Sequence, residues 1–264
     1  MANQSFISEC YAHQDGQVSW NGVKMNDGDA FTQFLIDEVA SRVHDEEIST
    51  EFEAHIRGLA DTGFQQESLQ AILDAAPEEE RDWAIGEALA EVHLSQAYGV
   101  EWPWNSERDK RTPMASLPGA DLVGLTADEE GALLALGEVK CSSEAKNPPQ
   151  VMYGRSGMAN QLDKLAEDLG LLYTLLRWLF PRCKGTSHET NFDHAVKRLL
   201  DSDNKAIVLF GILIRDTGPN SQDFRSRGHH LAGRIQTPTS CHLKALHLPC
   251  PISSLPARIK GGES

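Results

Sequence analysis

The sequence predicts an α/β protein, with α+β character, in which helices flank a mixed central β-sheet. Three observations carry that prediction. The run 206–214 (AIVLFGILI) is apolar throughout and rich in β-branched residues, as a strand covered on both faces is. Two strand-like stretches, 120–125 and 132–141, flank the polar turn Thr-Ala-Asp-Glu-Glu-Gly in the pattern of a hairpin. Helical periodicity lies before, between and after them, which is the element order of a sheet with packed helices.

Taken in order, the first 75 or so residues read as mostly helical. Phe31, Phe34, Leu35, Val39 and Val43 recur at helical spacing, as do Phe52, His55, Ile56 and Leu59, and a third helix is expected over 67–75. Ala76-Pro77 followed by glutamates marks a fresh helix start, so the chain divides into a helical N-terminal region, 1–76, and a main domain, 77–264. The stretch 78–98 is helical, with Trp83, Ile85, Leu89, Val92 and Leu94 apolar and Gly99 as its C-cap. A Trp-Pro-Trp loop leads to Pro118-Gly119 and the hairpin. A long helix is expected over 158–180 with Leu162, Leu165, Leu169, Leu172, Leu176 and Phe180 on one stripe, then a helix over 192–200. After the apolar strand, 243–248 reads as a strand and the tail as Pro-rich coil.

Composition narrows the function classes. The 264 residues are 40 % apolar, enough for a buried core, with no apolar run of about eighteen residues that would span a membrane. The start lacks the pattern of a secretory signal, and Cys10, Cys141, Cys183, Cys241 and Cys250 show no CxxC spacing, so reduced thiols and a cytoplasmic location are expected. Cys241-His242, His247 and Cys250 fit no zinc spacing. Walker A, GxSxG and GxGxxG motifs are absent, which argues against ATP hydrolysis and serine hydrolase chemistry. The 24 basic and 39 acidic residues give a net charge of −15, which repels a phosphate backbone on average. A nucleic-acid enzyme with that balance needs a local basic patch, metal ions or a partner protein.

The chemistry concentrates in Asp121 and, seventeen residues on, Glu138-Val139-Lys140. Alternation puts Glu138 and Lys140 on one face of a strand, and Asp121 starts the strand before it. Two carboxylates from adjacent strands, with the Val139 carbonyl, can hold a hard divalent ion such as Mg²⁺ or Mn²⁺. Lys140 beside them can orient a water or steady a developing phosphorane charge. Acid-x-Lys also occurs at Glu144-Ala-Lys146 and Asp203-Asn-Lys205, but only the Glu138 copy ends an apolar strand behind an aspartate.

These residues resemble the PD-(D/E)XK nuclease superfamily, whose hairpin carries Asp and Glu-x-Lys. The resemblance implies a restriction-endonuclease-like core, Mg²⁺-dependent hydrolysis of DNA phosphodiesters, and a further helix carboxylate. Glu87 and Glu91 both qualify, with Gly86-Glu87 nearer the usual form. It also implies a glutamine on the next helix, here Gln161. The acidic helical start and the Gly-Glu-Val-Lys-Cys-Ser hairpin end look like HamA, the nuclease family of the Hachiman antiphage system, which acts with a helicase, HamB. That likeness implies an effector subunit whose N-terminal region meets the helicase. Arg155, in the glycine loop before the helix over 158–180, lies at a helix N-terminus, a natural anion site, and could contact the scissile strand. Two basic patches, Arg108, Lys110 and Arg111 near Trp102 and Trp104, and Arg225 and Arg227 with His229, His230 and Arg234, could track a backbone or lie solvated. The acidic balance also suits a nuclease-fold subunit that no longer cuts, binding nucleic acid or regulating a partner.

Overall fold

The computed structural model describes residues 6–75, 82–105, 109 and 119–261. A six-stranded mixed sheet forms its centre, in the order β1-β2-β6-β5-β4-β3. The strands are β1 (Ile7–Asp15), β2 (Val18–Met25), β3 (Leu122–Asp128), β4 (Gly131–Ser142), β5 (Ile207–Arg215) and β6 (Ser240–His247). β2, β6, β5 and β4 run parallel, while the hairpin partners β1 and β3 are antiparallel edges. The α/β reading of the sequence holds.

β5 is buried at all nine positions because helices cover both faces of the sheet. One face receives α1 (Asp29–Phe34), which runs on through a π-turn into α2 (Ala40–Val43), together with α5 (Asp82–Tyr98). Residues Ile85–Leu94 of α5 are buried, as expected of a helix held between a sheet and a second layer of helix. The other face receives α6 (Met158–Glu167), α7 (Leu169–Cys183), α8 (Glu189–Asp201) and α9 (Gln222–Ala232). α3 (Glu46–Gly58) and α4 (Gly63–Asp74) complete the first half, with Thr62 and Gln65 forming a capping box on α4. The short α10 (Leu255–Ile259) closes the chain where coil was expected.

Three expectations are corrected. The first 76 residues are not a separate helical part: β1 and β2 form a hairpin, and β2 pairs with β6 inside the sheet. Phe31, Phe34, Leu35, Val39 and Val43 do form a buried stripe, but it packs into the same core as α5, so the 76/77 boundary divides no core. The stripe Phe52, Ile56 and Leu59 on and after α3 is largely exposed instead of buried. The helix expected over 158–180 breaks at Asp168, whose carboxylate caps α7 by accepting from the amides of Gly170 and Leu171 at 2.9 and 3.0 Å. That break rotates the buried stripe of α7 to Leu172, Leu175, Leu179 and Cys183, leaving Leu169 and Phe180 exposed.

Candidate active site

Antiparallel pairing sets Leu122 of β3 opposite Gly137 of β4, so β3 starts just where Glu138, Val139 and Lys140 leave the ladder. The Asp121 amide still donates to the Gly137 carbonyl at 3.1 Å. One step further the rung is a side chain, with Asp121 Oδ2 accepting from the Val139 amide at 2.9 Å. Strand alternation points the Val139 carbonyl to the same side as its amide, towards the edge that β3 has vacated.

Glu138 and Lys140 lie on the face opposite α5, and Glu138 is only 3 % exposed. Its register neighbour on β5 is Gly211, and α6 leans onto that glycine. A β-carbon at Gly211 would stand 2.7 Å from Leu243 Cδ2 and 3.0 Å from Leu162 Cδ1, so the carboxylate's neighbour must be small. Lys140 Nζ pairs with Glu138 Oε1 and lies 3.9 Å from Asp121 Oδ2. Three ionisable groups therefore meet at the open end of the hairpin. Burial, and then the nearby Asp121 carboxylate, push the Glu138 carboxyl up to about 8, against the pull of Lys140.

A carboxylate pair forced together in this way suits a divalent cation. The donors are all hard oxygens, two carboxylates and a main-chain carbonyl, which fits Mg²⁺ or Mn²⁺ better than a softer metal. Among the described residues no group of three or more His, Cys, Asp or Glu side chains converges in a way that could hold a metal ion.

The two helix glutamates separate in role. Glu91 is fully buried and accepts from Arg42 Nε at 2.7 Å, while Arg42 also donates to the Trp104 carbonyl at 2.9 Å. Glu91 is thus part of the packing between α2 and α5. Glu87 is also buried, and its neighbour Gly86 packs so closely on Cys141 that a β-carbon would strike Sγ, on the face of the sheet opposite Glu138 and Lys140. Gln161 is half-buried on α6, between Met158 and Leu162 of the helix face that covers Gly211.

The basic residues fare unevenly. Arg155 is exposed in the loop ahead of α6, and Arg225 is exposed on α9, which is a helix and not a loop. Arg227 is not available for a backbone: it donates to Asp163 Oδ1 and to the Ala159 carbonyl, each at 2.8 Å, tying α9 to α6. Arg234 pairs with Asp163 at 3.2 Å and with Glu167. Arg108, Lys110 and Arg111 lie outside the described residues. Trp102 and Trp104, expected beside them as a stacking surface, are structural. Trp104 is buried and donates to the Val123 carbonyl at 2.7 Å, and Trp102 donates to Ser95 Oγ at 2.8 Å.

Sequence reasoning missed Arg215 and Asp223. Arg215 ends β5 fully buried, 3.6 Å from the equally buried Asp223 of α9. Its guanidinium donates to the Ser142 and Lys146 carbonyls and to Asn147 Oδ1, at 3.4, 3.2 and 3.1 Å, and so clamps the segment that follows Lys140. The signal was an arginine closing an otherwise apolar buried strand. All five cysteines are free thiols, and no described helix is long and apolar enough to cross a membrane. No protein-family model matches the chain, and no curated protein matches it.

Proposed function

We propose that the chain is a metal-dependent deoxyribonuclease of the PD-(D/E)XK kind, the effector subunit of an antiphage complex with a helicase partner. The convergence of Asp121, Glu138 and Lys140 at the end of one hairpin carries this reading. Asp121, Glu138 and the Val139 carbonyl would hold Mg²⁺ or Mn²⁺, which supplies a polarised phosphoryl oxygen and a bound water of lowered pKa. Lys140, which contacts both carboxylates, would donate to the attacking water or to the charge that builds on the phosphorus oxygens. Glu87 is put forward as the helix carboxylate on the resemblance of Gly86-Glu87 alone; α5 packs on the face of the sheet opposite Glu138 and Lys140, so Glu87 would reach the ion only round the open end of the hairpin. Gln161 and Arg155 orient the strand from α6 and the loop before it.

The helicase and DNA parts of the reading rest on the likeness of the hairpin motif to the Hachiman nucleases, and on a net charge of −15 that calls for a partner to supply the cationic surface. The same charge supports an alternative, a silent nuclease-fold subunit that binds nucleic acid or regulates its partner. A cleavage assay on linear and circular DNA, with Mg²⁺ and the helicase present, separates the two. Wild type should cut and the Glu138→Ala, Lys140→Ala double variant should not, while retaining its fold. Cleavage undiminished in the double variant refutes the assignment, and a wild type that never cuts favours the alternative.

A further inference from the structure

A second polar cluster lies on the opposite face of the sheet from Glu138 and Lys140. Ser19 and Asn21 of β2 stand in register beside His242 and Lys244 of β6. The end of α5 lays Tyr98 over them, its ring 4.8 Å from the His242 ring and 4.9 Å from Lys244 Nζ. Ser19 Oγ hydrogen-bonds His242 Nδ1 at 2.7 Å, and His93 of α5 is buried with its Nε2 unpartnered among the described residues. A shallow cavity of about 290 Å³ opens beside this group, lined by Gln14, Ser19, Asn21 and Lys244.

Lys244 is the unusual member. Among the described residues no carboxylate pairs with it within 4.0 Å, and Glu9 acts on it only through its field. Burial draws its ammonium down to about 8 and draws His93 and His242 down to about 4, so both imidazoles are neutral. A lone, partly desolvated cation among neutral donors makes an electropositive hollow on a strongly acidic chain.

We propose that this hollow is a binding site for a small oxyanion, a phosphate or a carboxylate, held by the Lys244 ammonium with the Ser19 hydroxyl and Asn21 amide as further donors. A charge-assisted hydrogen bond to a cation withdrawn from water is the strong kind. The volume sits at the lower end for ligand sites, which matches a small molecule and not a polymer strand. The site shares no residue with the carboxylate cluster.

Calorimetric titration of the full chain at neutral pH tests it, with inorganic phosphate in one arm and acetate in the other. Saturable binding is expected in at least one arm, and the arm that binds assigns the class. Lys244→Met, which keeps an apolar stem over Tyr98, should weaken binding at least about tenfold, and Lys244→Arg should keep it within about threefold. If Lys244→Met does not fold, the Ser19→Ala, Asn21→Ala pair takes its place and should weaken binding likewise. No saturable heat with either anion up to tens of millimolar, on the order of the weakest specific binding, overturns the proposal. So does binding that these variants leave unchanged.

Discussion

Asp121 and Val139 are joined across the open end of the β3–β4 hairpin by a 2.9 Å bond from the Val139 amide to the Asp121 carboxylate. A side chain thereby continues a ladder that the backbone has abandoned, and it fixes one carboxylate in register with the other at Glu138. Asp121→Asn keeps an oxygen acceptor for that amide, whereas Asp121→Ala leaves the donor unsatisfied. In the metal-free protein, urea unfolding should show Asp121→Ala about 1–2 kcal/mol less stable than Asp121→Asn. Equal stabilities would mean the bond positions nothing.

Glu138 should make metal binding depend on pH. Its carboxyl, pushed up to about 8, must lose its proton before it can serve as a ligand. Apparent Mn²⁺ affinity is expected to climb up to about tenfold per pH unit below that value and to level off above it. An affinity that does not change with pH would contradict the placement of Glu138 among the ligands.

The same shift has a stability consequence without metal. The folded value lies above the ordinary carboxylate value of 4.5, so the folded state holds the proton more tightly. That contribution is complete below about 4.5 and is lost as pH rises through about 8. In EDTA, wild type should lose stability relative to Glu138→Gln across that window. Denaturant titrations at several pH values would show a flat difference if the carboxyl were ordinary.

The two glutamates of α5 should fail in different ways. Glu91→Ala strands Arg42 beside a buried gap, at a cost of about 3 kcal/mol to folding. Glu87→Gln should instead depress cleavage at least about tenfold with a small change in melting temperature. Paired melting curves and single-turnover rates decide it, and a reversed pattern would move the helix carboxylate to Glu91.

Among the arginines, Arg155→Gln and Arg225→Gln should each weaken DNA binding and lower its salt dependence by about one ion. Arg227→Gln should do neither, and should lower stability through the lost Asp163 contact. Binding isotherms at graded salt on all three variants make the comparison. A reduced salt slope in Arg227→Gln would return that residue to the DNA surface.

The parts of this fold that were legible in the sequence are those where burial leaves a periodic trace. The apolar run of β5 and the hairpin ending Glu138-Val139-Lys140 are read directly, because a strand covered on both faces admits few polar residues. β1 left no such trace, since it is an exposed edge whose side chains mostly meet water. Its one cue was Asp15-Gly16 at the turn, where Gly16 takes φ +54°. The break at Asp168 was hidden because Leu169 and Phe180 continue a helical spacing without being buried by it. The pairing of Glu91 with Arg42 was beyond sequence, because the arginine reaches it from 49 residues away. The same holds for Trp102 and Trp104, whose indole nitrogens find their partners only in the folded chain.

Calorimetric titration of Mn²⁺ into wild type and into the Asp121→Asn, Glu138→Gln double variant bears most directly on the central claim. Wild type should bind the ion saturably at the hairpin, and the double variant, folded to the same extent, should show no such binding. Equal affinity in both would mean that the two carboxylates do not hold the ion.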